Sequence, residues 1–102
     1  MSADNGIYIG KFPTKDGWIE YRVIEAAAIE NVADGNRMEQ DAYRALYFGQ
    51  APATRSEDMA LYWAKEKSKQ FYTEYGIKVL DFDRPLVDMS RDDINVILGM
   101  EF

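Results

Sequence analysis

The stretch Ser56 to Asp83 constrains the fold more than any other part of the chain. It reads SEDMALYWAKEKSKQFYTEYGIKVLDFD: a cap, a periodic helical run, a glycine break and an apolar strand. Ser56 can accept hydrogen bonds from the free N–H groups of a first turn, and Glu57 and Asp58 suit the positive end of the helix dipole. Ala60, Leu61, Ala64, Ser68, Phe71, Tyr72 and Tyr75 recur at spacings of three and four, so they share one face, which Met59 and Trp63 widen. Lys65, Lys67 and Lys69 fall largely off that face and come late, where cations suit a helix C-terminus. The spacing predicts a long helix over 57–74. Gly76 is placed to stop it in a left-handed conformation. Ile77 to Phe82 then reads as a strand covered on at least one face.

The rest of the chain supplies partners for this helix. Ile7 to Phe12 forms a first strand, with Ile7 and Ile9 on one face and Tyr8 and Phe12 on the other. Pro13 to Gly17 is a turn, and Trp18 to Val23 a second strand pairing with the first as an antiparallel hairpin. Glu25 to Asn31 is open to two readings: Ala26, Ala27 and Ala28 favour helix, while the strand can also run on through Ile29. Residues 33–36 are a loop. Arg37 to Tyr47 is a helix with Met38, Ala42, Ala45 and Leu46 on its apolar side and Gly49 at its end. Gln50 to Arg55, with Pro52, is a connection with room for a short extended segment. Arg84-Pro85 turns the chain. Ser90 caps a last helix, with Asp92 and Asp93 in its first turn, Ile94, Ile97 and Leu98 on its apolar edge, and Gly99 at its stop. The expected fold is a single α+β domain over 1–102. A small antiparallel sheet, the N-terminal hairpin plus the strand near 77–82 and one further strand, packs on the helix near 57–74 and shorter helices.

Composition narrows the chemistry. The 102 residues include no cysteine and no histidine. Nucleophilic triads built on histidine, ordinary zinc sites and thiol chemistry are therefore excluded. Any enzyme would have to work with carboxylates, lysine, tyrosine or arginine, so no catalytic residue, cofactor or metal is expected. The net charge of −6 argues against direct binding to nucleic acid and favours a basic partner surface. No apolar run reaches the roughly 20 residues needed to span a membrane. The N-terminal MSADNG lacks the basic region and apolar core of a signal peptide. Absence of cysteine fits a reducing compartment.

Three groups of side chains are candidates for function. The first is acidic: from Asp81 to Phe102 six acids face two bases, −4 of the −6 total. Asp81, Asp83, Asp88, Asp92 and Asp93 would present a phosphate-like edge to a basic groove. Asp81 and Asp83 also fall on one side of a strand, where a pair of carboxylates can contribute to a divalent metal site, but such an ion wants several more oxygens. The second group is aromatic. So many tyrosines and tryptophans exceed what a core of this size can hold, so some must face solvent, a partner or another copy of the chain. Tyr62 is the aromatic grouped with the acids for partner binding. The third group is Arg22, Arg44 and Arg84, which with an aromatic neighbour can bind an anionic nucleotide.

Several blocks resemble a widespread family of small, mostly uncharacterised phage and prophage proteins. They are Ala3-Asp4-Asn5-Gly6-Ile7-Tyr8-Ile9, Glu20-Tyr21-Arg22-Val23, Ala28-Ile29-Glu30-Asn31, Tyr47-Phe48-Gly49 and Glu74-Tyr75-Gly76-Ile77. The segment after Arg84 extends beyond the family pattern. The resemblance implies a bacteriophage accessory protein acting in the cytoplasm of the bacterial host. By analogy with anti-CRISPR proteins, it implies a non-catalytic inhibitor that binds a host defence protein. The alternative is a sponge for a cyclic nucleotide or ADP-ribose-type immune signal, and the third reading is a carboxylate-dependent enzyme.

Overall fold

The computed structural model describes residues 5–27, 29, 31–70 and 76–99. They form two compact units, each assembled from two separate segments: residues 1–28 with 51–85, and 29–50 with 86–102.

The first unit holds the sheet. Strand β1 (Asn5–Pro13) and strand β2 (Ile19–Ala27) pair antiparallel in the expected hairpin, from Asn5 opposite Ala27 to Pro13 opposite Ile19. The turn closes through Thr14, whose N–H donates to the Trp18 carbonyl at 2.8 Å while its hydroxyl accepts from the Trp18 N–H at 3.0 Å. Gly17 takes a φ of +87°, which a side chain would strain. The hairpin runs longer than Trp18 to Val23, because Ala26 and Ala27 continue β2 as strand. Their helix propensity is weak, amounting to well under about 1 kcal/mol per residue, and pairing with Gly6 and Asn5 overrides it.

Strand β3 (Ala53–Thr54) adds to β2 and supplies the short extended segment expected between Gln50 and Arg55. Helix α2 (Glu57–Gln70) follows, and strand β4 (Ile77–Asp81) completes the order β3-β2-β1-β4. Here the expectation of an antiparallel sheet is corrected. β4 runs parallel to β1, with Ile7 opposite Ile77 and Lys11 opposite Asp81, so the sheet is mixed. The reason is topological: α2 returns the chain to the end of the sheet where β3 began, and the next strand must then run in the same direction as β3.

The long helix over 57–74 is corrected too. α2 spans 14 residues, little more than the 12 of the next longest helix, and Phe71, Tyr72 and Tyr75 lie outside the described residues. Its cap is as expected, with the Ser56 hydroxyl accepting from the Met59 N–H at 3.1 Å. Its buried stripe is narrow. Ala60 and Ala64 are fully buried against Ile7, Ile9 and Val23, with Trp63 and Tyr21 at the margin, while Met59 and Leu61 face solvent. Two alanines one turn apart let the helix backbone approach the sheet closely. On the opposite face of β1, Phe12 is buried and stacks on Phe82, ring centroids 4.6 Å apart.

The second unit pairs helix α1 (Arg37–Phe48) with helix α3 (Arg91–Leu98). Asn36 caps α1 and forms a reciprocal box with Glu39: the Asn36 side chain accepts from the Glu39 N–H at 2.9 Å, and the Glu39 carboxylate accepts from the Asn36 N–H at 3.3 Å. Ala42 and Ala45 meet Ile94, flanked by Leu46, Ile97 and Leu98. Met38, expected on this apolar side, is exposed because it lies in the first turn, ahead of the contact with α3. Ser90 caps α3 through the Asp93 N–H at 3.1 Å, and Gly99 ends it in the left-handed region at φ +66°, both as expected.

Candidate functional site

β4 lies at the edge of the sheet, and α2 packs chiefly over β1 and β2. The α2-facing side of β4 is therefore poorly covered. Val79 is 51 % exposed and Ile77 37 %, which corrects the expectation of a covered strand. Beside them on α2, Leu61 is 36 % exposed. Between helix and edge strand runs a groove of about 160 Å³. Ile9 and Ala60 form its floor, and Leu61 and Val79 its walls.

One end of this groove is polar. Lys11 there pairs with Asp81 at 3.4 Å and lies 6.0 Å over the Tyr21 ring. The Tyr21 hydroxyl donates to Glu57 at 3.5 Å, at the first turn of α2. The Asp81 side chain stays 78 % exposed. The groove is thus apolar along its length with two carboxylates and one ammonium at the end. Its volume falls short of the roughly 300 Å³ at which small-molecule pockets begin, so it suits side chains of a docked segment better than a nucleotide.

The other candidate residues are scattered. Asp83 lies beyond the end of β4, so it does not share a strand with Asp81; it accepts from Arg84 at 3.0 Å. Asp88 is exposed in the segment before α3, and Asp92 and Asp93 are exposed in the first turn of α3, in the second unit. Among the described residues, no three acidic side chains are grouped so as to hold a metal ion. Tyr62 is 59 % exposed on α2 and borders an open depression of about 390 Å³ with Pro52, Trp63 and Lys67. Near it, Glu66 bonds Lys69 at 2.9 Å, and that hydrogen bond holds the ammonium pKa above its usual range.

The three arginines do not converge in the described groove. Arg22 bonds Glu20 at 2.7 Å and the Ala51 carbonyl at 3.2 Å, tying β2 to the connection before β3. The Arg84 side chain is 11 % exposed and faces Asp83. Arg44 is buried in α1 of the second unit. At the hairpin tip, Arg55 bonds Asp16 at 3.0 Å and lies 5.7 Å over Trp18, which is 57 % exposed.

Val79, Leu61 and the groove between them are missed by sequence reasoning. Ile77, Val79 and Leu80 read as a covered strand, and only the strand order reveals that this segment lies at an edge. No protein family, curated protein or solved structure is matched by this chain. Among the described residues no helix is long and apolar enough to cross a membrane.

Proposed function

We propose that this chain is a non-catalytic binding protein of bacteriophage origin that inhibits a host antiviral effector, in the manner of an anti-CRISPR protein, by occupying a basic surface on it. The observation that carries the reading is the exposure of all five candidate acids: Asp81, Asp83, Asp88, Asp92 and Asp93 all face solvent. Displayed on the surface, these charges suit a positive partner, where complementarity accelerates encounter and selects the partner. Effectors that handle nucleic acid carry such surfaces, because they must neutralise phosphates. The blocks quoted above supply the phage context, and the host cytoplasm is where such an inhibitor would act. Nucleotide capture is the less favoured reading, since Arg22 and Arg84 are engaged in contacts within the first unit.

Plating efficiency tests this directly. Bacterial hosts, each carrying one active defence system, are challenged with a susceptible phage in the presence and absence of the expressed chain. Plating should recover in at least one CRISPR-bearing host, and the purified chain should bind that host's effector with an on-rate that falls as salt rises. Asp92→Lys combined with Asp93→Lys should slow that association. Failure to restore plating in any of the hosts would contradict the proposal.

A further inference from the structure

The sheet edge at β4 is complete as a strand and open as a partner. Two hydrogen bonds bracket its pairing with β1: Ile7 N–H to the Gly76 carbonyl at 3.0 Å, and Phe82 N–H to the Lys11 carbonyl at 2.9 Å. In a parallel pair, alternate residues of a strand engage the same neighbour. Residues 76, 78, 80 and 82 therefore turn their backbone groups toward β1, and Ile77, Val79 and Asp81 turn theirs outward. Among the described residues no strand pairs with that outer side. The same three residues carry their side chains on the α2 face, opposite Ile7, Ile9 and Lys11 in register. Backbone donors and acceptors, an apolar wall and a terminal carboxylate thus lie along one line.

Edges of this kind are usually shielded by proline, a bulge or inward-pointing charge. β4 contains no proline; its charges are Lys78 on the far face and Asp81 at its end, and the α2-face residues Ile77 and Val79 are apolar and exposed.

We propose that β4 accepts an extended segment of a partner protein as a fifth strand, with alternate apolar side chains over Val79 and Leu61 and a lysine or arginine at Asp81 and Glu57. Charge decides the occupant. Among the described residues, Glu57 and Lys11 line the polar end of the groove and Asp81 pairs with Lys11 beside it, two carboxylates to one ammonium, so a further cation completes the balance there. A second copy of the chain fits less well. Two-fold antiparallel pairing centred on Val79 or Leu80 sets the Asp81 carboxylate against an apolar residue. Centred on Lys78 or Asp81 it opposes like charges, and centred on Ile77 it uses only half the strand. Each copy also carries a net charge of −6. Strand addition of this type takes affinity from the backbone bonds and specificity from alternate side chains. The inference rests on the reading of the chain as a binding protein.

The probe is a labelled, acetylated and amidated peptide, Lys-Thr-Val-Thr-Val-Thr, which sets lysine at Asp81 and valines at Val79 and Ile77 in antiparallel register. Fluorescence polarisation against the full chain should show saturable binding, weakened when glutamate replaces the lysine. Val79→Pro removes one outward N–H and leaves the β1 ladder intact, since proline is tolerated on an open edge. It should weaken the peptide at least about tenfold, the loss of a backbone bond or more. Should that variant fail to fold by circular dichroism, Asp81→Lys serves instead and should prefer the glutamate peptide over the lysine one. Absence of binding by the wild-type chain, unchanged affinity in folded Val79→Pro, or unchanged preference in Asp81→Lys would overturn the inference. So would sedimentation as a dimer that Val79→Pro dissolves, because the edge would then belong to a second copy. Plating separates the two proposals. Rescue retained by Val79→Pro sinks the edge and spares the counter-defence reading, whereas peptide binding without rescue in any host does the reverse.

Discussion

At the tip of the first hairpin, Asp16 accepts from the Thr14 hydroxyl and from Arg55, whose guanidinium also lies over Trp18. The Thr14 hydrogen bond, then Arg55, holds the Asp16 carboxyl below the usual aspartate range. A depressed folded-state pKa means the unfolded chain binds the proton more readily. Asp16 therefore stabilises the fold above the ordinary aspartate pKa of about 3.9, and that contribution is lost as pH falls through the lower folded value. Thermal melts of wild type and Asp16→Asn should differ at pH 7, with the gap narrowing as pH drops below about 3.9. A gap that stays constant across that range would show the carboxylate to be idle. Single residues were also where the sequence was most legible. Ser56, Ser90 and Gly99 act as read, because caps and left-handed stops depend on local chemistry alone. The Asn36 to Glu39 spacing carries the same kind of signal, and reading 33–36 as a plain loop passes over it.

At the scale of elements, α2 is set on the sheet by its small residues. Ala60 is fully buried against the β1–β2 layer, so Ala60→Leu must push the helix off Ile9 and Val23. This should cost about 1–3 kcal/mol, seen as a lower denaturation midpoint at unchanged slope. Leu61→Ala, one position along on the partly exposed margin, should cost less, about 1 kcal/mol or under. Equal costs at the two positions would mean that α2 does not pack as described. The alternation of Ile7, Ile9 and Val23 was enough to place these strands and the helix face, since period and burial share a cause. Strand direction was not legible in the same way. Whether β4 runs with or against β1 depends on which end of the sheet α2 returns to, and no residue of β4 encodes that. The exposure of Val79 follows from the same missing fact, because an edge position is a property of the order of strands.

On the scale of the whole molecule, charge and segment pairing separate. A net charge of −6 is read from composition, and it predicts association that weakens with salt whatever the fold. The two units are each built from distant segments, exchanging at residues 28–29, 50–51 and 85–86; Gly49, Pro52 and Pro85 near two of these points read as ordinary turns, not as boundaries between units. The acids that composition groups into one tail are thereby divided: Asp81 and Asp83 belong to the sheet unit, and Asp88, Asp92 and Asp93 to the helical one. The recognition surface proposed for the first unit is β4, where the acidic end and the apolar wall coincide. Amide hydrogen exchange, read residue by residue with and without the Lys-Thr-Val-Thr-Val-Thr peptide, tests this most directly. The outward amides of Ile77, Val79 and Asp81 should gain protection on binding, while those of Lys78 and Leu80, already committed to β1, should not change. Protection that leaves β4 untouched and appears only at Asp92 and Asp93 would contradict the account.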